Sequence, residues 1–276
     1  MDRAERLRAC GLLWSVRVGE ALPGGHRSAV HEVVAPDGRD AVLKLCATSA
    51  AASLEAAALR TWSGAGVAVD LLASDEALGA ILLERLRPGT ALAPGPESIA
   101  VAAELLGTLH GREPGAFPYP TLAGTSDAEL LEAREDLTHE RRVRGEPDRA
   151  RAAEEALPAA AALLERLAAD SRPTVLLHGD FLTKNVLSAG RGHRVIDPSP
   201  RLGDPASDAG MFACDQPAGS ILETAEALAE SLGLGPDRVV AWTVVWTVLQ
   251  AAQAWRPDQE GLDALVGSRD LRRILG

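Results

Sequence analysis

Residues 175–208 read VLLHGDFLTKNVLSAGRGHRVIDPSPRLGDPASD, and this stretch decides how the rest of the chain is read. An apolar run delivers His178-Gly179-Asp180, four residues separate Asp180 from Asn185, and a second apolar run ends in Ile196-Asp197-Pro198. An HGD tripeptide alone carries little information. The whole pattern, H-G-D-x4-N followed by x11-D with each acid at the end of an apolar run, carries far more, because buried strands rarely end in carboxylates by accident. Short strands are expected at 174–178, 185–188 and 194–196, and the polar residues cluster there.

On the N-terminal side the pattern is β-like. Apolar runs at 12–18, 29–34 and 41–46 are separated by Pro23-Gly24-Gly25 and Pro36-Asp37-Gly38, the signature of an antiparallel meander. The spacing predicts a helix over 48–62 and two further strands at 67–73 and 80–84, after which Arg85-Leu86-Arg87-Pro88-Gly89 closes the unit. From about residue 97 the chain reads as helical, at 97–110, 126–143, 147–169, 218–232, 236–255 and 259–274, with the Pro- and Gly-rich segment 111–124 as the longest loop. The motif stretch is thus a β-like interruption inside a helical half.

Composition narrows the function classes. A chain of 276 residues with 46% hydrophobic content can bury a sizeable core. A net charge of −11 argues against a general nucleic-acid binder and suits a cationic small molecule. Cys10, Cys46 and Cys214 are widely spaced, form no CxxC pair and read as reduced thiols. The start, MDRAERLRAC, lacks the apolar core of a signal peptide, and the run at 239–255 is broken by Thr243, Thr247, Gln250 and Gln253, so it reads as a buried helix and not a membrane span. A cytoplasmic protein without membrane association is expected. Positive charge comes from 26 Arg and only 2 Lys, Lys44 and Lys184.

Phosphoryl transfer calls for these residue types: a carboxylate to orient a hydroxyl and accept its proton, and an Asn and an Asp to hold magnesium on the phosphates. Asp180, Asn185 and Asp197 suit those roles in that order. With His178 to Asn185, Ile196-Asp197-Pro198 and Gly203-Asp204-Pro205 followed by Asp208, the sequence resembles the aminoglycoside phosphotransferase family, in particular its streptomycin 6-kinase and hydroxyurea-kinase type. The resemblance spans nearly the whole chain. It implies an α+β, protein-kinase-like two-lobed fold, with a small β-rich N-lobe (1–86) that binds nucleotide and a mainly helical C-lobe (87–276) that carries the catalytic loop and the acceptor-binding helices. It also implies ATP (or GTP) and Mg2+ as cofactors, and it makes Asp208 a brace of the catalytic-loop backbone and His178 an orienting residue.

The resemblance further implies a strand lysine paired with a helix glutamate. Lys44 stands in the middle of the apolar run A-V-L-K-L, where an unpaired charge would be costly. Glu55, eleven residues on, shares a helix face with Leu59 and Trp62 and is the natural partner. Gly25 and Ser28 lie where the family's phosphate-covering loop sits, although Gly24-Gly25 reads equally as a hairpin turn. Glu84 and Leu86, within Leu83-Glu84-Arg85-Leu86, match the interlobe hinge whose backbone would bind the adenine edge. Lys184 departs from many relatives; it either reaches the transferring phosphate or is a solvated loop lysine. The segment Ser199-Pro200-Arg201-Leu202 is too short for a regulated activation segment, which disfavours a protein substrate.

For the acceptor, the family places carboxylates between the catalytic loop and the C-terminal helices. Asp215, Glu223, Asp258 and Glu260 are the candidates, each of which also reads as a solvated surface acid. Trp242, Trp246, Gln250 and Gln253 lie near one helix face, a stripe that reads as core packing or, given its amides, as a pocket wall. The expected partner is a small cationic antibiotic, a streptomycin-like aminoglycoside first. A basic cyclic peptide such as capreomycin or viomycin, or hydroxyurea, is the alternative acceptor, and a non-catalytic sequestering protein the alternative of a different class. A monomer or weak homodimer is expected.

Overall fold

The computed structural model describes residues 1–23, 28–143, 151–170, 174–252 and 259–275. Asp2 caps the first helix, α1 (Arg3–Leu13), accepting from the Glu5 N–H while the Glu5 carboxylate returns the bond to the Asp2 N–H. Five strands follow, β1 (Arg17–Ala21), β2 (Ala29–Val34), β3 (Asp40–Leu45), β4 (Leu71–Asp75) and β5 (Ala80–Glu84), in the antiparallel order β1-β2-β3-β5-β4, with helix α2 (Ser49–Thr61) between β3 and β4. The two-residue alternation of β3 sorts its side chains. Ala41, Leu43 and Leu45 pack with Val33, Leu82 and Cys10 beneath α1, whereas Val42 joins Ile81, Leu83 and the α2 side chains in the main core. Lys44 shares the α2 side of the strand.

The helical half carries α3 (Pro96–His110), α4 (Leu122–Val143) and α5 (Arg151–Ala169) before the motif stretch, then α6 (Pro205–Cys214), α7 (Ile221–Leu232), α8 (Pro236–Ala252), α9 (Gln259–Val266) and α10 (Arg269–Leu275) after it. Between them run β7 (Val175–Leu177), β8 (Val186–Ala189), β9 (Gly192–Val195) and β10 (Arg201–Gly203); β10 pairs with β7, and β6 (Pro88–Ala91) joins β8 and β9. The near-continuously buried α8 packs against α6 so closely that a Cβ on Gly210 would lie 2.7 Å from the Thr243 nitrogen. Among the described residues no helix is long and apolar enough to cross a membrane.

Four expectations are corrected. The run at 12–18 is not a strand: the Asp2–Glu5 capping box starts a helix that ends at Leu13, and Ser15, at φ +51°, turns the chain into β1. The strand expected at 67–73 begins at Leu71, because Val67 and Val69 bond instead to Val195 of β9 (2.8 and 3.0 Å) and stitch the β-rich region to the motif hairpin. The helix expected at 259–274 is two helices. Gly267 and Ser268 interrupt it, and Ser268 Oγ accepts the Leu271 N–H at 3.2 Å as a new cap. Strands β6 and β10 were not expected, being four and three residues long and without apolar alternation.

Candidate active site

The site is assembled where β3, α2 and the motif hairpin meet. Thr48 caps α2 by accepting the Ala51 N–H at 3.1 Å, and this helix turns Glu55 inward. Lys44 Nζ donates to Glu55 Oε2 at 2.6 Å and also to Asp197 Oδ1. Lys44 and Glu55 are buried, whereas the Asp197 side chain is half exposed. Burial opposes the charge on Lys44, but Glu55 and then Asp197 outweigh it, and its pKa stands above that of an ordinary lysine. Burial likewise works against the Asp197 carboxylate, and Lys44 overcomes it, so Asp197 is held below the usual carboxylate range.

Asp197 sits at φ +56°, a conformation uncommon for a residue with a side chain, and the chain around it is pinned. The Ile196 N–H donates to the Asn185 carbonyl at 2.9 Å, the Ser199 N–H to the His178 carbonyl at 2.8 Å, and the His178 Nε2 lies 3.1 Å from the Ile196 carbonyl. Burial pushes the His178 pKa down, so the ring is neutral. With Nδ1 accepting the Asp180 N–H at 3.3 Å, the proton belongs on Nε2, where it reaches Ile196. His178 thus joins the catalytic-loop backbone to the strand end that carries Asp197.

The loop itself admits no side chain at Gly179. The residue is at φ +75°, and a Cβ there would lie 2.0 Å from the Ser199 carbonyl oxygen. From α6, Asp208 accepts the His178 N–H at 2.7 Å and the Gly179 N–H at 2.9 Å, and His110 Nε2 of α3 lies 3.0 Å from the same carboxylate. Asn185 closes the loop, its Nδ2 donating to the Asp180 carbonyl at 2.9 Å and to Asp180 Oδ2 at 2.8 Å. Lys184 Nζ is 3.7 Å from the same Oδ2. Burial raises the Asp180 pKa against the opposing charge of Lys184, which makes Asp180 a better proton acceptor than an ordinary aspartate.

The donor set fits a cation that is shared with phosphates. Asn185 gives its amide nitrogen to Asp180 and Asp197 gives one oxygen to Lys44, and among the described residues the Asn185 oxygen and the other Asp197 oxygen meet no donor. Two hard oxygen ligands are what Mg2+ takes from a protein when phosphates and water complete its octahedron. Among the described residues no cluster of three or more His, Cys, Asp or Glu would hold a metal without such help.

The remaining expected site residues fare differently. Glu84 uses its carboxylate on Arg194 Nη1 and on the Asp70 N–H (2.8 Å), so its side chain braces the end of β5, and Leu86 is buried. Ser28 is half-buried just before β2. Trp246 is not a pocket wall: it is 3% exposed, stacks on Trp242 and donates its indole N–H to Ser207 Oγ at 3.2 Å. Asp215 is not a free carboxylate awaiting a ligand, because its Oδ2 accepts from the Thr183 N–H and hydroxyl. Gln250 is half-buried on α8, and Glu223 is exposed in the first turn of α7. Gly25, Gln253 and Asp258 lie outside the described residues, as does the side chain of Glu260.

The roles of two residues of the site were not legible in the sequence. Arg201, 5% exposed, reaches Glu129 Oε1 of α4 at 2.6 Å, the Ser199 hydroxyl at 3.2 Å and the Gly179 carbonyl at 3.4 Å. Asp204 caps α6 through the Ala206 N–H (3.0 Å) and accepts from the Trp242 indole at 2.7 Å and from Arg238. For Arg201 the only signal was an arginine four residues after Asp197; for Asp204 it was the D-P pair that starts a helix.

Residues 13–258 match the model of a family described as aminoglycoside/hydroxyurea antibiotic resistance kinase. The sequence is 32% identical to a hydroxyurea phosphotransferase of Kitasatospora aureofaciens over 247 residues, covering 84% of this chain and 67% of that one. It is 31% identical to a streptomycin 6-kinase of Streptomyces glaucescens over 255 residues, 83% of this chain and 76% of the relative. Its fold is that of an aminoglycoside phosphotransferase solved with ADP and hygromycin B, at a TM-score of 0.58 and 18% identity, covering 94% of this chain and 97% of that one.

Proposed function

The chain belongs to the aminoglycoside/hydroxyurea antibiotic resistance kinase family and is an antibiotic phosphotransferase, and from that premise we propose that it moves the γ-phosphoryl group of ATP, or of GTP, to a hydroxyl of a streptomycin-like aminoglycoside. The observation that carries the reading is the pairing of Lys44 with Asp197 and of Asn185 with Asp180, the two pairs joined through the Ile196 N–H and the Asn185 carbonyl. In it, residues 1–86 hold the nucleotide, with the Glu84 and Leu86 backbone at the adenine and Ser28 near the phosphates, and residues 87–276 supply the loop and the acceptor side.

Asp180 orients the acceptor hydroxyl and takes its proton as the new O–P bond forms, while the bond from the γ-phosphorus to the bridging oxygen breaks and ADP leaves. Lys44, held by Glu55, neutralises charge on the phosphates. Asn185 and Asp197 would hold Mg2+, which screens the charge on the phosphate oxygens when bound. The net charge of −11 favours a cationic acceptor over the uncharged hydroxyurea. Hydroxyurea stays as the second reading because a hydroxyurea phosphotransferase is a relative at 32% identity.

The test is mass spectrometry of streptomycin and other aminoglycosides, of capreomycin and viomycin, and of hydroxyurea, after incubation with enzyme, Mg2+ and ATP or GTP. Streptomycin heavier by one phosphoryl group is the expected product. Modification of hydroxyurea alone would transfer the assignment to the second reading, and modification of none of them would reject both.

A further inference from the structure

Helix α6 carries Asp208 in its first turn and Asp215 as its C-cap, seven residues or about two turns apart and therefore on one face. That face lies along the catalytic loop. Asp208 holds the loop ahead of Asp180, through the His178 and Gly179 N–H groups. Asp215 holds it behind, its Oδ2 accepting the Thr183 N–H at 2.8 Å and the Thr183 hydroxyl at 2.6 Å. Thr183 is buried, and it opens the one-turn 3-10 helix Thr183–Asn185 whose last residue reaches back to the Asp180 carbonyl and carboxylate. In a turn of three residues, a shift of the first displaces the last.

We propose that Asp215 is a positioning residue for the phosphoryl-transfer site and not a ligand of the acceptor: by holding Thr183 it fixes the turn that aims Asn185 at Asp180 and at the cation. The inference rests on the roles given above to Asp180 and Asn185. The chemistry explains the choice of residue. A backbone N–H and a hydroxyl must both be accepted at the end of α6, and one carboxylate oxygen accepts both with charge assistance. An asparagine oxygen in the same place can accept the same two bonds, whereas alanine leaves a buried donor pair without a partner.

This separates a positioning role from acceptor binding, where the charge itself would matter. The experiment compares Asp215→Asn, Asp215→Ala, Thr183→Ser and Thr183→Val, measuring kcat, the acceptor KM, and by calorimetry the affinity for ADP with and without Mg2+. Asp215→Ala should lower kcat or the Mg2+-dependent part of ADP affinity by about 10–100-fold, the usual cost of losing a group that orients a metal ligand. Acceptor KM should stay within about threefold of wild type, and Asp215→Asn and Thr183→Ser should restore most of the loss. Thr183→Val, which keeps the N–H bond and loses the hydroxyl, should fall between, and it decides the question should Asp215→Ala not fold.

The inference is overturned if Asp215→Asn and Asp215→Ala both raise acceptor KM tenfold or more at unchanged kcat, which would make Asp215 an acceptor ligand. It is equally overturned if Asp215→Ala and Thr183→Val leave kcat and the Mg2+-dependent affinity at wild-type values. Asp180→Asn is run alongside: full turnover there rejects the roles assigned to the loop, while the Mg2+-dependent affinity of the Asp215 variants still decides whether Asp215 positions Asn185.

Discussion

Asp180→Asn is expected to leave the loop in place and to cut phosphoryl transfer by about 10²–10⁴-fold, the range a positioned proton acceptor contributes. The substitution keeps the shape of the side chain and an oxygen for the Asn185 amide, which in the wild type also holds the Asp180 carbonyl at 2.9 Å. What it removes is the basicity that burial gives Asp180 and the negative charge 3.7 Å from Lys184. Lys44, Asp197 and the hinge are untouched, so nucleotide affinity should stay within about threefold. Product formation followed by mass spectrometry, beside ADP binding by calorimetry, checks both halves. Turnover within a few-fold of wild type would show that the acceptor hydroxyl needs no carboxylate here.

Asp208→Ala is the largest expected loss of stability. The carboxylate is almost fully buried and is the acceptor for two backbone N–H groups as well as the neighbour of His110, so its removal strands three polar groups in the core. Removing one partner of such a buried cluster costs about 3–5 kcal/mol. At roughly 2–4 °C per kcal/mol for a chain of this size, the melting temperature should drop by on the order of 10 °C. A drop of less than about 2 °C by thermal unfolding would mean that the loop is held without α6.

Asp208 also makes a pH-dependent contribution of known sign. Burial alone would raise its pKa, but the His110 contact and the backbone N–H donors outweigh this and hold it below the ordinary carboxylate value. A folded-state pKa below the unfolded one of about 3.9 gives stability that is complete above the unfolded value and is lost as the pH falls through the folded one. Asp208→Asn should therefore lower stability at neutral pH more than at acid pH, and its unfolding free energy should fall less steeply on acidification. An equal loss at all pH values would contradict the charge assignment.

The groups proposed to react are legible because each is announced locally. Asp180 and Asn185 lie within one loop and Asp197 ends the next apolar run, so spacing and residue type suffice. Lys44 was legible because a lysine among apolar strand residues must find an anion, and Glu55 on the packed face of the next helix is near enough in sequence to be named. Asp215 reads from sequence either as an acceptor ligand or as a solvated surface acid, because nothing local shows what an acid faces; the fold sets it on Thr183. Trp246 reads from sequence as core packing or as a pocket wall because helical spacing gives a face without saying what covers it; Ser207 and Trp242 cover it, as core packing requires.

The sequence by itself determined the order of strands and helices over most of the chain, the division into a β-rich and a helical half, and the residues proposed to react. All follow from periodicity and short-range chemistry, where the partners are neighbours along the chain. Only the tertiary structure decided which polar groups support those residues. Thr183 with Asp215, Gly179 with Asp208, Arg201 with Glu129 and His110 with Asp208 are separated by 32, 29, 72 and 98 positions. Among 39 acidic residues and 28 basic ones, charge alone selects no pair. The selection comes from burial, which makes a buried donor or acceptor costly unless the fold brings it a partner, and burial is a property of the packed chain.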